Sequence, residues 1–144
     1  MKRVALVCFT AAICNISLFG QDTIQPSVSV QDATVAAPLH YHLEYENELV
    51  RIVRVTYGPH EKSPMHAHKG NAVVIVVLKG GAQISSITED GARTPGRTEQ
   101  TGAVRFVPSR PAFVHSSENV TNLSLETIRV ELKTPLCSDK QASH

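Results

Sequence analysis

From Leu39 onward, apolar and polar side chains alternate in short runs set between glycine, proline and aspartate. A period of two is the mark of strands with one covered face. In the run Leu49 to Tyr57, Val50, Ile52 and Arg54 fall on one face and Arg51, Val53 and Val55 on the other, and Gly58-Pro59 closes it. Ala72 to Leu78 is apolar on both faces, the pattern of a strand that is buried on both sides. Gly80-Gly81 turns the chain, Gln83 to Thr88 reads as a strand, and Asp90-Gly91 is a hairpin signal. Arg93 to Thr101 runs back, interrupted by Pro95-Gly96. Val104 to Val107 stops at Pro108, and Phe113 to His115 follows. The last run, Leu123 to Leu132, sets Leu123, Leu125, Thr127, Arg129 and Glu131 opposite Ser124, Glu126, Ile128, Val130 and Leu132. No segment sustains a helical period. Many short strands separated by turn signals predict an all-β sandwich or barrel.

Composition agrees. Valine, isoleucine and threonine are abundant, tryptophan is absent, and 144 residues suffice for one domain. Lys+Arg number 14 against 13 Asp+Glu, so charge indicates neither nucleic acid nor an anionic membrane as a partner. The start differs in character. Met1-Lys2-Arg3 precedes a mostly apolar stretch from Val4 to Phe19, and Gly20 offers a small-residue cleavage point. Residues 1–20 are therefore expected to be a signal peptide, with the mature protein exported to a periplasm or secreted and not held in a membrane. Residues 21–38 are polar and small and read as a flexible leader or edge strand. Residues 39–134 form the barrel domain, and 135–144 a polar tail. Cys8 and Cys14 fall in the segment expected to be removed. Cys137 alone remains, so no intramolecular disulfide is expected.

The chemistry sits in His66-Ala67-His68 and in His115. Histidines at i and i+2 on a strand share a face, and neutral imidazole is a common transition-metal ligand. A later strand carrying His115 over the first pair would complete three ligands of a tetrahedral site.

These residues stand in an order that resembles the cupins. Gly58, His66, His68 and Gly80 match the family's first motif, and Gly102, Pro108, His115 and Asn119 match its second. The resemblance covers Leu43 to Lys133. It implies a cupin-type double-stranded β-helix, a jelly-roll barrel, with a divalent transition metal (Fe, Zn, Mn, Ni or Cu) on His66, His68 and His115. The chain departs from the pattern in two places. Val73 stands where the family carries a glutamate ligand. The loop from Pro108 to His115 is longer than usual, with Arg110 in place of a turn glycine. Some cupins, such as the thiol dioxygenases, work with three histidines.

His60 would add a fourth ligand or shuttle protons, but its loop position favours a solvated side chain. His40 and His42 share a face of an entry strand with nothing converging on them. Glu44, Glu46 and Glu48 read as a charged edge, the alternative being that one of them replaces the missing glutamate ligand. Arg54, Arg105 and Arg129 are expected to point outward, because unpaired charge is costly to bury; turned inward, one would clamp a substrate carboxylate. Asn119 is expected to tie down a turn. Asn119-Val120-Thr121 and Asn122-Leu123-Ser124 are formal glycosylation sequons. Two functional classes remain open: a metal-dependent, dioxygenase-like enzyme acting on a small molecule, and a non-catalytic small-ligand binding or sensor module with a vestigial metal site. No carboxylate is assigned to the barrel interior from sequence, so neither proton transfer nor enzyme status is assigned. The second apolar face of Ala72 to Leu78 requires a cover. Either residues 21–45 or a partner copy would supply it, and the resemblance favours a homodimer.

Overall fold

The computed structural model describes residues 30–133. The signal-peptide reading of residues 1–20, all three cysteines and the tail from 135 lie outside the described residues. The strands are β1 (Tyr41–Glu46), β2 (Val50–Tyr57), β3 (His66–His68), β4 (Ala72–Lys79), β5 (Ile84–Ile87), β6 (Arg93–Thr94), β7 (Val104–Val107), β8 (Phe113–Asn119) and β9 (Leu125–Leu132). They form a five-stranded sheet in the order β1-β2-β9-β4-β7 and a four-stranded sheet in the order β3-β8-β5-β6. All the strand pairs are antiparallel, and the chain crosses repeatedly between the sheets. No helix among the described residues is long and apolar enough to cross a membrane.

The expected runs appear with adjusted ends. The polar return after Asp90-Gly91 pairs only through Arg93–Thr94 and an isolated bridge from Thr98 to Gln83, because Pro95-Gly96 interrupts the ladder. The strand begun at Phe113 continues to Asn119, held by β5 along its second half.

The larger departure concerns the stretch before β1. In its described part, 30–38, it is neither loose nor a simple edge strand. Asp32 bridges to Ala67 at the edge of β3, and Ala33–Ala36 form one turn of helix, α1. Asp32 caps that turn by accepting from the Thr34 N–H at 3.0 Å. Both of its carboxylate oxygens also meet the Arg51 guanidinium, at 2.6 and 2.7 Å, which holds the carboxyl well below the usual carboxylate range. Ala33 and Ala37 are small enough to enter the core beside Tyr41, Val53, Val55 and Tyr57. The anchor comes from a distant arginine, so composition alone concealed it.

Buried Val53 and Val55 of β2 and Val73, Ile75 and Val77 of β4 face the second sheet across the interior. Asn119 closes the end of β8. Its Nδ2 donates to the carbonyls of Gly58 (2.7 Å) and Leu123 (2.6 Å), and its Oδ1 accepts from the Thr121 N–H and hydroxyl. This is the turn-fixing role expected of it. The same amide is fully buried, so the first sequon is incompatible with glycosylation of the folded chain.

Candidate metal centre

Strand β3 is only three residues long, and its period of two turns His66 and His68 to the same side. Antiparallel pairing with β8 sets His66 directly opposite His115, and His68 opposite Phe113. One ring nitrogen from each histidine lies within 4.8 Å of the other two. The ring centroids are 4.7 Å apart for His66–His115, 5.0 Å for His66–His68 and 5.1 Å for His68–His115. His66 and His68 are buried.

Hydrogen bonding aims these rings. His66 Nδ1–H donates to the Pro64 carbonyl at 2.8 Å, which leaves the lone pair on Nε2. Ser86 Oγ stands 2.7 Å from His115 Nδ1 and accepts from it in the same tautomer. The Nε2 atoms of His66, His68 and His115 are all buried with no hydrogen-bond partner. Three orphaned ring nitrogens so close together are costly unless something that takes up their lone pairs occupies the space. A divalent ion meets that need, and the donor set suits zinc, iron, manganese, nickel or copper.

Burial also keeps the rings neutral. It lowers His68 to about 2, with the Arg129 charge adding to the effect, and His115 to about 3, with His66 and Arg129 adding. His66 is lowered by burial as well, against the opposing pull of the Pro64 carbonyl. Neutral imidazole is the form that ligates metal.

Tyr41 and Glu131 adjoin the site with no motif in the sequence to mark them. The buried Tyr41 ring packs 4.7 Å from His66 and 5.7 Å from His68. Phe113 stacks on His68 at 5.0 Å, and the Arg110 guanidinium lies 3.4 Å over the Phe113 ring. The arginine that replaces a turn glycine thus covers the aromatic wall. Its backbone N–H is tied to the Gly70 carbonyl, where Gly70 has a φ of +79 and leaves no space for a Cβ against the Arg110 carbonyl. Val73 is buried and lines a small cavity with His68, Arg129 and Glu131. Glu131 pairs with Val73 across β4 and β9 and points inward, a carboxylate that the alternating pattern contained but did not orient. It lies outside the histidine cluster and 3.8 Å from Arg51.

The remaining candidates separate cleanly. His60 is exposed, with φ of 57 and its Nε2 2.7 Å from Asn122 Oδ1, and takes no part in the cluster. His42 is exposed. His40 lies in the turn before β1, not on it. It stacks on Tyr57 at 4.4 Å and its Nδ1–H donates to the Thr56 carbonyl, so it is a core residue. Glu44, Glu46 and Glu48 are exposed. Glu44 pairs with Arg54, and Glu46 with Lys133. Arg54 points outward between Glu44 and Glu126, as expected. Arg105 and Arg129 do not: both line the interior cavity. Register decides this, since each is the cross-strand neighbour of inward Ile75.

No protein-family model matches the chain, and no curated protein does so. Among solved structures, a cupin domain from Bordetella pertussis Tohama I is similar, with a TM-score of 0.53 and 18% identity over 65% of this chain and 92% of that one. An RmlC-like cupin protein from Desulfovibrio desulfuricans shows 23% identity over 67% of this chain and 86% of that one, with a TM-score of 0.41. An RmlC-like cupin family protein from Methanocaldococcus jannaschii, with a double-stranded β-helix fold, shows 20% identity over 64% and 77%, with a TM-score of 0.44. At 18% identity the likeness to the Bordetella domain is one of fold.

Proposed function

We propose that this chain, whose fold is the double-stranded β-helix of the cupins, holds a divalent transition metal on His66, His68 and His115 and acts with it on a small molecule. The three buried Nε2 atoms without partners carry this reading. Three protein ligands leave coordination positions open, as a catalytic metal requires, and such a metal supplies Lewis-acid or dioxygenase-like redox chemistry. The chain's own part is to keep the rings neutral, to fix the tautomers of His66 and His115 through Pro64 and Ser86, and to bring the ligand in through the interior cavity beside His115. The N-terminal sequence supports action outside the cytoplasm, after export. Metal analysis of purified protein before and after chelation tests the reading. A stoichiometric metal is expected. Its absence would favour the second reading, a small-ligand binding or sensor module. The observation behind that second reading is that Glu131 and Glu99, the inward carboxylates, already face Arg51 and Arg105.

Position 73 offers a graded test. Val73→Glu would put an anion beside His68, with Arg129 on the same small cavity to balance it. Metal affinity is expected to rise by about tenfold or more, while the metal-free variant loses stability through a buried charge. Competition against a chromogenic chelator reads the first effect and urea unfolding the second. Unchanged or weaker affinity in a folded variant would remove position 73 from the site.

We also propose a homodimer through the outer face of the five-stranded sheet. Phe106, Val74, Val130 and Ile52 make one apolar row across β7, β4, β9 and β2, and Val104, Val76 and Ile128 make the next. Val104 is 68% and Phe106 54% exposed. The described N-terminal stretch does not cover them, since α1 packs into the core from the β1 and β3 side. A second copy of the same face is self-complementary. Sedimentation at micromolar concentration should give a dimer that Phe106→Glu dissociates. A wild-type monomer would refute the proposal.

A further inference from the structure

The interior cavity has a volume of about 520 Å³, in the range of small-molecule sites. Four arginines line it: Arg97, Arg105, Arg110 and Arg129. The one lining carboxylate is Glu99, whose Oε1 lies 2.9 Å from Arg105 Nε. Arg129 has no ion-pair partner among the described residues, and its Nε is buried with no hydrogen-bond partner. Arg105 and Arg129 come from the strands on either side of β4, both level with Ile75. Neighbouring strands lie about 4.8 Å apart, so the two stems stand about 10 Å apart across the cavity wall. Between and beyond them the wall is apolar, with Val55, Ile84 and Leu125, and His115 marks the histidine end.

Glu99 balances the partly exposed Arg105, but nothing among the described residues balances half-buried Arg129, whose Nε is cut off from solvent, and the two guanidiniums on one wall repel each other. An anion that joins Arg129 relieves both costs. The planar fork of arginine matches a carboxylate, and the apolar wall matches a hydrocarbon body better than a fully hydrated ion. We propose that the cavity binds a small organic carboxylate, with its carboxylate on Arg129 and Arg105 and its apolar body along Val55, Ile84 and Leu125. This rests on the metal reading only for where the ligand's far end lies, near His115. Arginine recognition itself does not require the metal.

Calorimetric titration of the full chain, metal-free and metal-loaded, tests this with hexanoate, hexanamide and inorganic phosphate as probes. Hexanoate is expected to bind at least about tenfold more tightly than hexanamide, because only the acid pairs with the guanidiniums. It should also exceed phosphate, which gains nothing from the apolar wall. Arg129→Gln should lose about tenfold in hexanoate affinity while leaving hexanamide binding and metal content unchanged. Arg105→Gln provides a second test should the first variant fail to fold. Equal binding of acid and amide, phosphate equal to hexanoate, or no hexanoate binding by the metal-free protein would overturn the proposal. Acid-selective binding in a protein that retains no metal would uphold it and overturn the metal centre, so the two readings fail separately.

Discussion

Replacing His66 with alanine is expected to lower metal affinity by at least about a hundredfold, because it removes one of three ligands and no neighbour can substitute. Among the described residues the geometry leaves no spare donor. His60 and His40 are engaged elsewhere, and Glu131 faces Arg51 outside the cluster. His66 also sits centrally, with Tyr41 at 4.7 Å on one side and His115 at 4.7 Å on another. Its loss opens a space in the wall as well as a gap in the donor set. His115→Ala, at a less enclosed position, should show the same loss of metal with a smaller loss of stability. Metal content and chelator competition measure the first quantity, and urea unfolding the second. Either variant retaining metal at wild-type affinity, with its fold intact by circular dichroism, would sink the three-histidine centre.

Acid should unfold the metal-free protein in a defined window. His68 and His115 are depressed to about 2 and about 3 from an ordinary value of 6.5, by burial first. Above pH 6.5 they are neutral both folded and unfolded, so they contribute no pH dependence. Below it the unfolded chain takes up protons that the folded one refuses, and stability falls with pH. Each such group costs up to about 1.4 kcal/mol per pH unit, so the pair removes as much as ~5 kcal/mol between pH 6.5 and 4.5. That is comparable with the whole stability of many domains. Asp32, depressed by Arg51 from 3.8, adds its own loss only lower, near and below that value. The unfolding free energy should therefore drop steeply from pH 6.5 to 4.5, and His68→Gln should reduce the slope by about 1.4 kcal/mol per pH unit. A flat profile over that interval would show that the rings are not buried as described.

Period and punctuation alone determined much of this protein. The shared face of His66 and His68 is a local property of any extended three-residue segment, and so is the common parity of Val73, Ile75 and Val77. The hairpin at Asp90-Gly91 follows from residues in contact along the chain, and Gly91 indeed takes a φ of +82. What alternation does not specify is which face of a strand turns inward when neither is wholly apolar. In β9 the more apolar set, Ile128, Val130 and Leu132, points out, while Thr127, Arg129 and Glu131 point in. In β7 exposed Val104 and Phe106 point away from the cavity that Arg105 lines. Hydrophobicity by itself predicts the opposite for β9, and burial cost predicts an outward Arg105. Registers with β2 and β4 settle both orientations, because one strand's pairing compels the side-chain direction of its neighbour. The same non-local pairing sets His115 opposite His66, brings Glu131 beside Val73, and anchors Asp32 on Arg51. Each partner there is distant in sequence, so the chain displays its ligands locally, but only the closed barrel decides what they face.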